Sequence, residues 1–168
     1  MNAQKLHLLA VAAAVAASFA MASTPALAAG AKAEHDHHAA APARLSLDHG
    51  KKWGTDEALR TGMERIRNAV EPQLAAAHAG KLSPADYAAL AGKVENEVAG
   101  IVGNCKLEPK ADAMLHLVIA DLGAGTDAMA GKAKKAKPEQ GLVKVASAVN
   151  NYGRYFEHPG FKPIHLGH

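Results

Sequence analysis

The chain has 168 residues, with 19 lysines and arginines against 16 aspartates and glutamates, and a formal net charge of +3 when its 10 histidines are neutral. This excess is too small and too dispersed to indicate a nucleic-acid-binding protein, which carries a concentrated basic face. The chain holds one cysteine, so its fold has to form without an internal disulfide.

The first residues have the pattern of a secretory signal peptide. Lys5 supplies a positive charge, residues 8–20 form a short apolar stretch, and residues 26–28 (Ala-Leu-Ala) make a small-x-small cleavage site. We therefore expect residues 1–28 to be removed and the protein to act in the periplasm without a membrane anchor. About 140 residues would remain, which is enough for one domain with a hydrophobic core.

A histidine cluster follows the cleavage site. Residues 29–44 are rich in alanine and histidine and have no apolar periodicity, which is typical of a disordered tail. The histidines that flank the predicted domain are His35, His37, His38, His165 and His168. Neutral imidazole binds divalent transition metals, copper(II) most strongly. We expect the N-terminal cluster to bind copper(II) or nickel(II) weakly and independently of the folded domain.

Four segments carry apolar residues at the three-and-four spacing of one helix face. Thr55-Asp56-Glu57 supplies an N-cap with acids in the first turn of the first helix. Ser83 is a suitable N-cap for the second helix, and Pro109 and Pro138 open the third and fourth. Pro72 lies inside the first segment and predicts a kink or a split there.

These segments predict an all-α fold. We expect an antiparallel up-down four-helix bundle over residues 45–161 with flexible histidine-bearing termini, the second being a C-terminal tail over residues 162–168. The alternative is three helices with a loosely packed fourth segment. In an up-down bundle the start of the first helix, the end of the second, the start of the third and the end of the fourth share one end.

That shared end would collect thiol, thioether and imidazole groups. Thiolate and thioether ligands favour copper(I), and imidazole suits copper, zinc or iron. We therefore expect a metal site, with copper as the favoured metal, Cys105 as the central ligand, and His116, His49, His158 and Met114 as candidate partners. Because a helix C-terminus disfavours an anion, the Cys105 thiol should stay protonated without metal. The alternative is a structural thiol with the histidines in turns.

Four helices in an exported chain of this size resemble the soluble b-type and c-prime cytochromes in architecture. The Cys-x-x-Cys-His motif is absent from the sequence, which excludes covalent haem. Met63 and His116 are the candidate axial ligands for a non-covalent haem in an electron-transfer protein.

Three further stretches carry a second resemblance. They are residues 45–53 (LSLDHGKKW), 104–112 (NCKLEPKAD) and 155–160 (YFEHPG). Together they resemble the small exported proteobacterial proteins labelled DnrO-like, over nearly the whole mature chain. This resemblance implies a Gram-negative periplasm and carries no mechanism.

Motifs for catalysis are missing from the sequence. The predicted helices hold no nucleophile elbow, phosphate-binding loop or His-Glu-x-x-His pair. We therefore expect a metal scavenger, buffer or carrier, not an enzyme, acting as a monomer or a homodimer. The remaining alternative is a periplasmic interaction protein without a cofactor.

Overall fold

The computed structural model describes residues 44–167. Within this range the chain forms four α-helices: α1 (Glu57–His78), α2 (Pro84–Asn104), α3 (Pro109–Met129) and α4 (Pro138–Tyr155). The described residues contain no β-strand, only two isolated bridges. The all-helical class and the number of helices are therefore confirmed, while the predicted signal peptide and nearly all of the histidine tail lie outside the described residues.

Local sequence sets the helix starts. The Asp56 side chain caps α1 by accepting the Leu59 N–H at 2.8 Å. Ser83 and Asp86 form a capping box at the start of α2, and each of their side chains accepts the backbone N–H of the other residue. Pro109 and Pro138 are the first residues of their helices, where a missing N–H costs nothing.

Pro72 does not split α1, which continues from Glu57 to His78. Proline removes the hydrogen bond to the carbonyl four residues earlier, that of Asn68. Both Pro72 and Asn68 are exposed, so water can satisfy this carbonyl. The expected split is therefore wrong.

Helix faces meet in one hydrophobic core. Its largest fully buried side chains include Leu59, Met63, Ile66, Val70, Val94, Ile101, Val118, Leu122, Leu142, Tyr152 and Phe156. The most extensive contact joins α3 and α4, followed by α1 with α2 and α2 with α3. The backbones of α3 and α4 approach each other closely at Gly125. A Cβ atom on this residue would lie only 2.6 Å from Cγ2 of Val145 and 2.9 Å from the carbonyl oxygen of Gly141, so a side chain would not fit without a shift.

The segment after α4 packs against the helices. A turn at residues 158–161, with Gly160 at φ +81°, reverses the chain, and Arg67 then donates to the Lys162 carbonyl at 2.7 Å. The Asn150 side chain exchanges two hydrogen bonds with the backbone of Ile164, which is 3 % exposed. The sequence predicted a loose tail here, whereas residues 161–166 are docked because Ile164 completes the core.

None of the helices within residues 44–167 combines the length and the apolar character needed to cross a bilayer.

Candidate metal-binding site

Hydrogen bonds bring four chain segments together at one end of the helices. The backbone of Trp53 bonds that of Tyr155 at 2.9 Å and Glu157 at 2.8 Å, which joins the residues before α1 to the end of α4. The Asp56 carboxylate accepts the Lys106 N–H, which joins the start of α1 to the turn between α2 and α3. The site residues that the sequence placed at this end can therefore be compared directly.

Cys105 is the C-cap of α2, and its N–H donates to the Ile101 carbonyl at 2.8 Å. Its side chain is half-buried. Burial, and then the negative charges of Asp56 and Asp112, raise the pKa of the thiol to about 11. The thiol is thus protonated at neutral pH, as the sequence predicted, and burial and the two carboxylates contribute to this.

Asp56 has a second role that the sequence did not reveal. Its carboxylate accepts backbone N–H groups from both Leu59 and Lys106 and lies beside the Cys105 thiol. Although burial opposes the effect, the Lys106 and Leu59 donors hold the pKa of Asp56 below its usual value. A charged group therefore ties the α1 cap to the α2–α3 turn.

His116 shares a cavity with Cys105. A cavity of about 40 Å³ lies between the end of α2 and the first turns of α3, and Cys105, Asp112 and His116 contribute to its wall. This volume exceeds that of one probe-sized water. The remaining wall residues are apolar: Ile101, Val102, Leu115 and Ile119.

The His116 ring is oriented by its own helix. Nδ1 lies 2.9 Å from the Asp112 carbonyl oxygen and 3.4 Å from Oδ2 of the Asp112 carboxylate. An Nδ1–H that donates to this carbonyl leaves the lone pair on Nε2, the usual arrangement of a metal-binding histidine. Nε2 makes no hydrogen bond to any described residue, and the side chain is 64 % exposed. Asp112 was not among the predicted site residues, although its i, i+4 spacing to His116 signals this contact.

Met114 lies outside this cavity wall. Its sulfur accepts a hydrogen bond from the Ser46 hydroxyl at 3.8 Å, and the Ser46 carbonyl accepts the Trp53 indole N–H at 2.6 Å. Met114 therefore contacts the segment that precedes α1.

His49 is held in a tight turn away from the cavity. His49 and Gly50 have φ values of 49° and 83°, and Asp48 and Lys51 exchange two backbone hydrogen bonds across them. This is a tight two-residue turn with positive φ at both central positions, and the glycine at the second position suits that conformation. The His49 side chain is 91 % exposed and lies 3.8 Å from Asp48.

Both ring nitrogens of His158 have a polar partner. Nδ1 lies 2.9 Å from the Tyr152 hydroxyl and Nε2 lies 3.5 Å from Glu64, while the side chain is only 6 % exposed. Burial lowers the pKa of His158, an effect that Arg60 reinforces and Glu64 opposes. Its ring also packs against Phe161, with centroids 4.9 Å apart. This histidine joins the end of α4 to α1 and does not reach the Cys105 cavity wall.

The two candidate haem ligands, Met63 and His116, differ in burial. Met63 is fully buried in the core, whereas His116 lies mostly in solvent on the outside of α3. One candidate ligand therefore lies in the core and the other in solvent.

Across the described residues, no group of three or more histidine, cysteine, aspartate or glutamate side chains is arranged to hold a metal ion. Cys105, His116 and Asp112 contribute to the wall of one cavity, whereas His49, His158 and Met114 do not. His35, His37, His38 and His168 lie outside the described residues, and His165 is exposed.

No protein-family model, curated protein or solved structure matches this chain.

Proposed function

We propose that the protein is a periplasmic copper-binding protein that acts as a scavenger, buffer or carrier and not as an enzyme. The observation that carries this proposal is the cavity shared by Cys105, Asp112 and His116. The predicted signal peptide and the resemblance to DnrO-like proteins support export to the periplasm, which we propose as well.

We also propose that the four helices form an antiparallel up-down bundle. Short connections between consecutive helices favour antiparallel neighbours. This topology is expected to place the residues before α1 beside the end of α4, and hydrogen bonds join these two segments. It is also expected to place the start of α1 beside the α2–α3 turn, where the Asp56 carboxylate accepts the Lys106 N–H.

The chemistry of the cavity favours copper(I). A thiolate is a soft ligand that selects copper(I) over harder cations, and a neutral imidazole suits the same ion. Because the Cys105 thiol has a pKa of about 11, metal binding at neutral pH must release its proton. Affinity for copper(I) should therefore rise about tenfold for each pH unit between 7 and 9.

The test is competition for copper(I) with a chromophoric chelator, under anaerobic conditions and without an affinity tag. Cys105→Ser should abolish tight binding together with the pH dependence, and His116→Ala should weaken binding. His49→Ala is the matched control, because His49 is an exposed histidine at the same end outside the cavity. If Cys105→Ser binds copper(I) as tightly as wild type, Cys105 is a structural thiol and the proposal fails.

The histidine tail is proposed as the collector of copper(II) or nickel(II). A chain that begins at Arg44 should keep its helicity and lose the weak sites, which titration calorimetry would measure. Identical weak sites in both proteins would contradict this role.

No observation favours haem as a second candidate. A Soret band in the purified protein would nevertheless identify it directly. Protein without metal and without a Soret band would point to the interaction protein without a cofactor.

A further inference from the structure

We propose that the segment after α4 is a pH-sensitive strap, which neutral His158 holds against α1 and α4 and which protonation of His158 releases. The strap comprises residues 157–166. This inference goes beyond the proposed function, because it concerns a different part of the molecule and does not depend on copper.

The contact that fixes the strap joins His158 to Tyr152. The Tyr152 side chain is fully buried, and among the described residues its hydroxyl has one hydrogen-bond partner, Nδ1 of His158 at 2.9 Å. Burial raises the pKa of Tyr152, so the hydroxyl keeps its proton. When the neutral ring carries its proton on Nε2, Nδ1 accepts the hydroxyl proton and Nε2–H faces Glu64 at 3.5 Å. The neutral ring therefore satisfies the buried hydroxyl.

Protonation of His158 removes this arrangement. A charged imidazole carries a proton on both nitrogens and accepts no hydrogen bond, so the Tyr152 hydroxyl loses its one described acceptor. An unsatisfied buried donor is costly. Two charged groups of α1 face the ring: Arg60 opposes its positive charge, whereas Glu64 favours it from a side chain that is 55 % exposed and screened by water. Burial, together with Arg60, lowers the pKa of His158, so the docked strap favours the neutral ring.

Movement of the His158 ring reaches the rest of the strap through Phe161. The Phe161 ring packs on those of His158 and Tyr152, with centroid distances of 4.9 and 5.1 Å. Its backbone N–H also donates to the His158 carbonyl at 3.1 Å. Gly153 leaves room for this ring, because a Cβ on Gly153 would lie 2.7 Å from Cδ1 of Phe161. A displaced His158 therefore removes one of the surfaces on which Phe161 is seated.

The protonated ring has a path to water. His158 lines an open cleft of about 540 Å³, together with Gly54, Thr55, Arg60, Glu157 and Pro159. Rotation of the ring into this cleft would hydrate the charge and break the contacts with Tyr152 and Phe161. Because the helices keep their own backbone hydrogen bonds, we expect the strap to open locally while the four helices stay folded.

The direction of the response to pH follows from the two states of the strap. Above about pH 6.5 the ring is neutral whether the strap is docked or released. As the pH falls below this value, the released strap binds the proton more readily, and the opening constant rises until the pH reaches the lowered pKa of the docked ring. Acidification therefore uncovers Phe161, which is half-buried in the docked strap, and Ile164, which is 3 % exposed.

Amide hydrogen exchange of the full chain, followed by mass spectrometry at pH 7.5 and 5 and corrected for the intrinsic pH dependence of exchange, tests this device. In wild type, residues 157–166 should exchange severalfold faster at pH 5, while α3 should not change. His158→Gln should abolish the difference, because glutamine does not titrate and its amide oxygen can accept the Tyr152 hydroxyl. His165→Gln is the matched control: it removes an exposed histidine of the same strap and should keep the wild-type response.

Tyr152→Phe provides an independent variant, because it keeps the ring and removes the hydroxyl. Protonation of His158 then leaves no unsatisfied donor, and the strap should respond to pH less than in wild type. Equal exchange of the wild-type strap at both pH values, or an unchanged response in His158→Gln, would show that the inference is wrong. A loss of protection shared equally by α3 would mean that acid unfolds the whole domain, which also contradicts a separate strap. These outcomes leave the proposed function untouched, since copper takes no part in the measurement.

Discussion

His158 and His116 lie near the same end of the helices but differ in what surrounds them. His158 is 6 % exposed, with both ring nitrogens directed at Tyr152 and Glu64, whereas His116 is 64 % exposed with only Nδ1 held by its own helix. A buried histidine with two polar partners is part of the fold. A histidine oriented through one nitrogen and mostly exposed at the other has no such fixed place in the fold, and the proposed copper site depends on this difference. The hydrogen-bond partners of each ring nitrogen therefore indicate the role of a histidine better than its proximity to a predicted site does.

The largest difference between the surroundings of His158 and those of His116 is expected in the free energy of unfolding. Tyr152→Ala removes a fully buried aromatic ring and the partner of His158, and it should lower the free energy of unfolding by about 3–5 kcal/mol. His116→Ala should change it by less than about 0.5 kcal/mol, because this side chain is mostly solvated. Urea denaturation followed by circular dichroism measures both, and similar losses would contradict the comparison.

A smaller effect is expected in the pH dependence of stability. The pKa of His158 is lower in the folded protein than its ordinary value of about 6.5. Its neutral form therefore stabilises the fold above pH 6.5, and this contribution is lost as the pH falls through the lowered folded value. The groups that face the ring are Tyr152, Glu64 and Arg60.

His158→Gln isolates this contribution, because glutamine keeps polar atoms and does not titrate. Below pH 6.5 wild type should lose stability more steeply than the variant. The difference between the two unfolding curves from pH 7.5 to 5 is the measurement. Parallel curves would mean that His158 titrates in the folded protein as it does in the unfolded chain.

The smallest effect is expected in thiol reactivity at the Cys105 cavity. Asp56→Asn removes a negative charge beside the thiol and keeps a good N-cap for α1. The pKa of Cys105 should fall from about 11, so alkylation at pH 8 should become severalfold faster. Asp121→Asn is the control, because Asp121 pairs with Lys144 and does not contribute to raising the Cys105 pKa. Equal rates in wild type and Asp56→Asn would show that Asp56 does not raise the pKa of Cys105.

Much of the helical framework follows from local sequence. The stretch Thr55-Asp56-Glu57, Ser83, and the first-turn prolines Pro109 and Pro138 predict four helix starts, because capping depends on residues within one turn. The structure assigns the cap of α1 to Asp56 and that of α2 to Ser83. Apolar periodicity also predicts most of the core, since helix geometry fixes which residues share a face. Of the two outcomes predicted for Pro72, a kink or a split, the split is wrong, and the exposure of Pro72 and Asn68 that accompanies the continuous helix is a property of the folded surface.

The sequence did not reveal where the helix backbones approach each other or that the segment after α4 packs against the helices. Gly125 has a low helix propensity as a residue type, yet it lies where the backbones of α3 and α4 meet. Ile164 reads as part of a loose tail, yet the Asn150 amide and the core hold it in place. Neither residue has a local partner that would signal its role.

By itself, the sequence determined the all-helical class, the helix starts and the chemical types available for a metal site, because these depend on residue identity and short-range spacing. Tertiary structure decided which of those groups meet. It placed Cys105, Asp112 and His116 around one cavity, buried His158 between Tyr152 and Glu64, and turned His49 into solvent. The physical reason is that the orientation of a side chain and its satisfied hydrogen bonds depend on contacts between residues far apart in the chain, which no local pattern encodes.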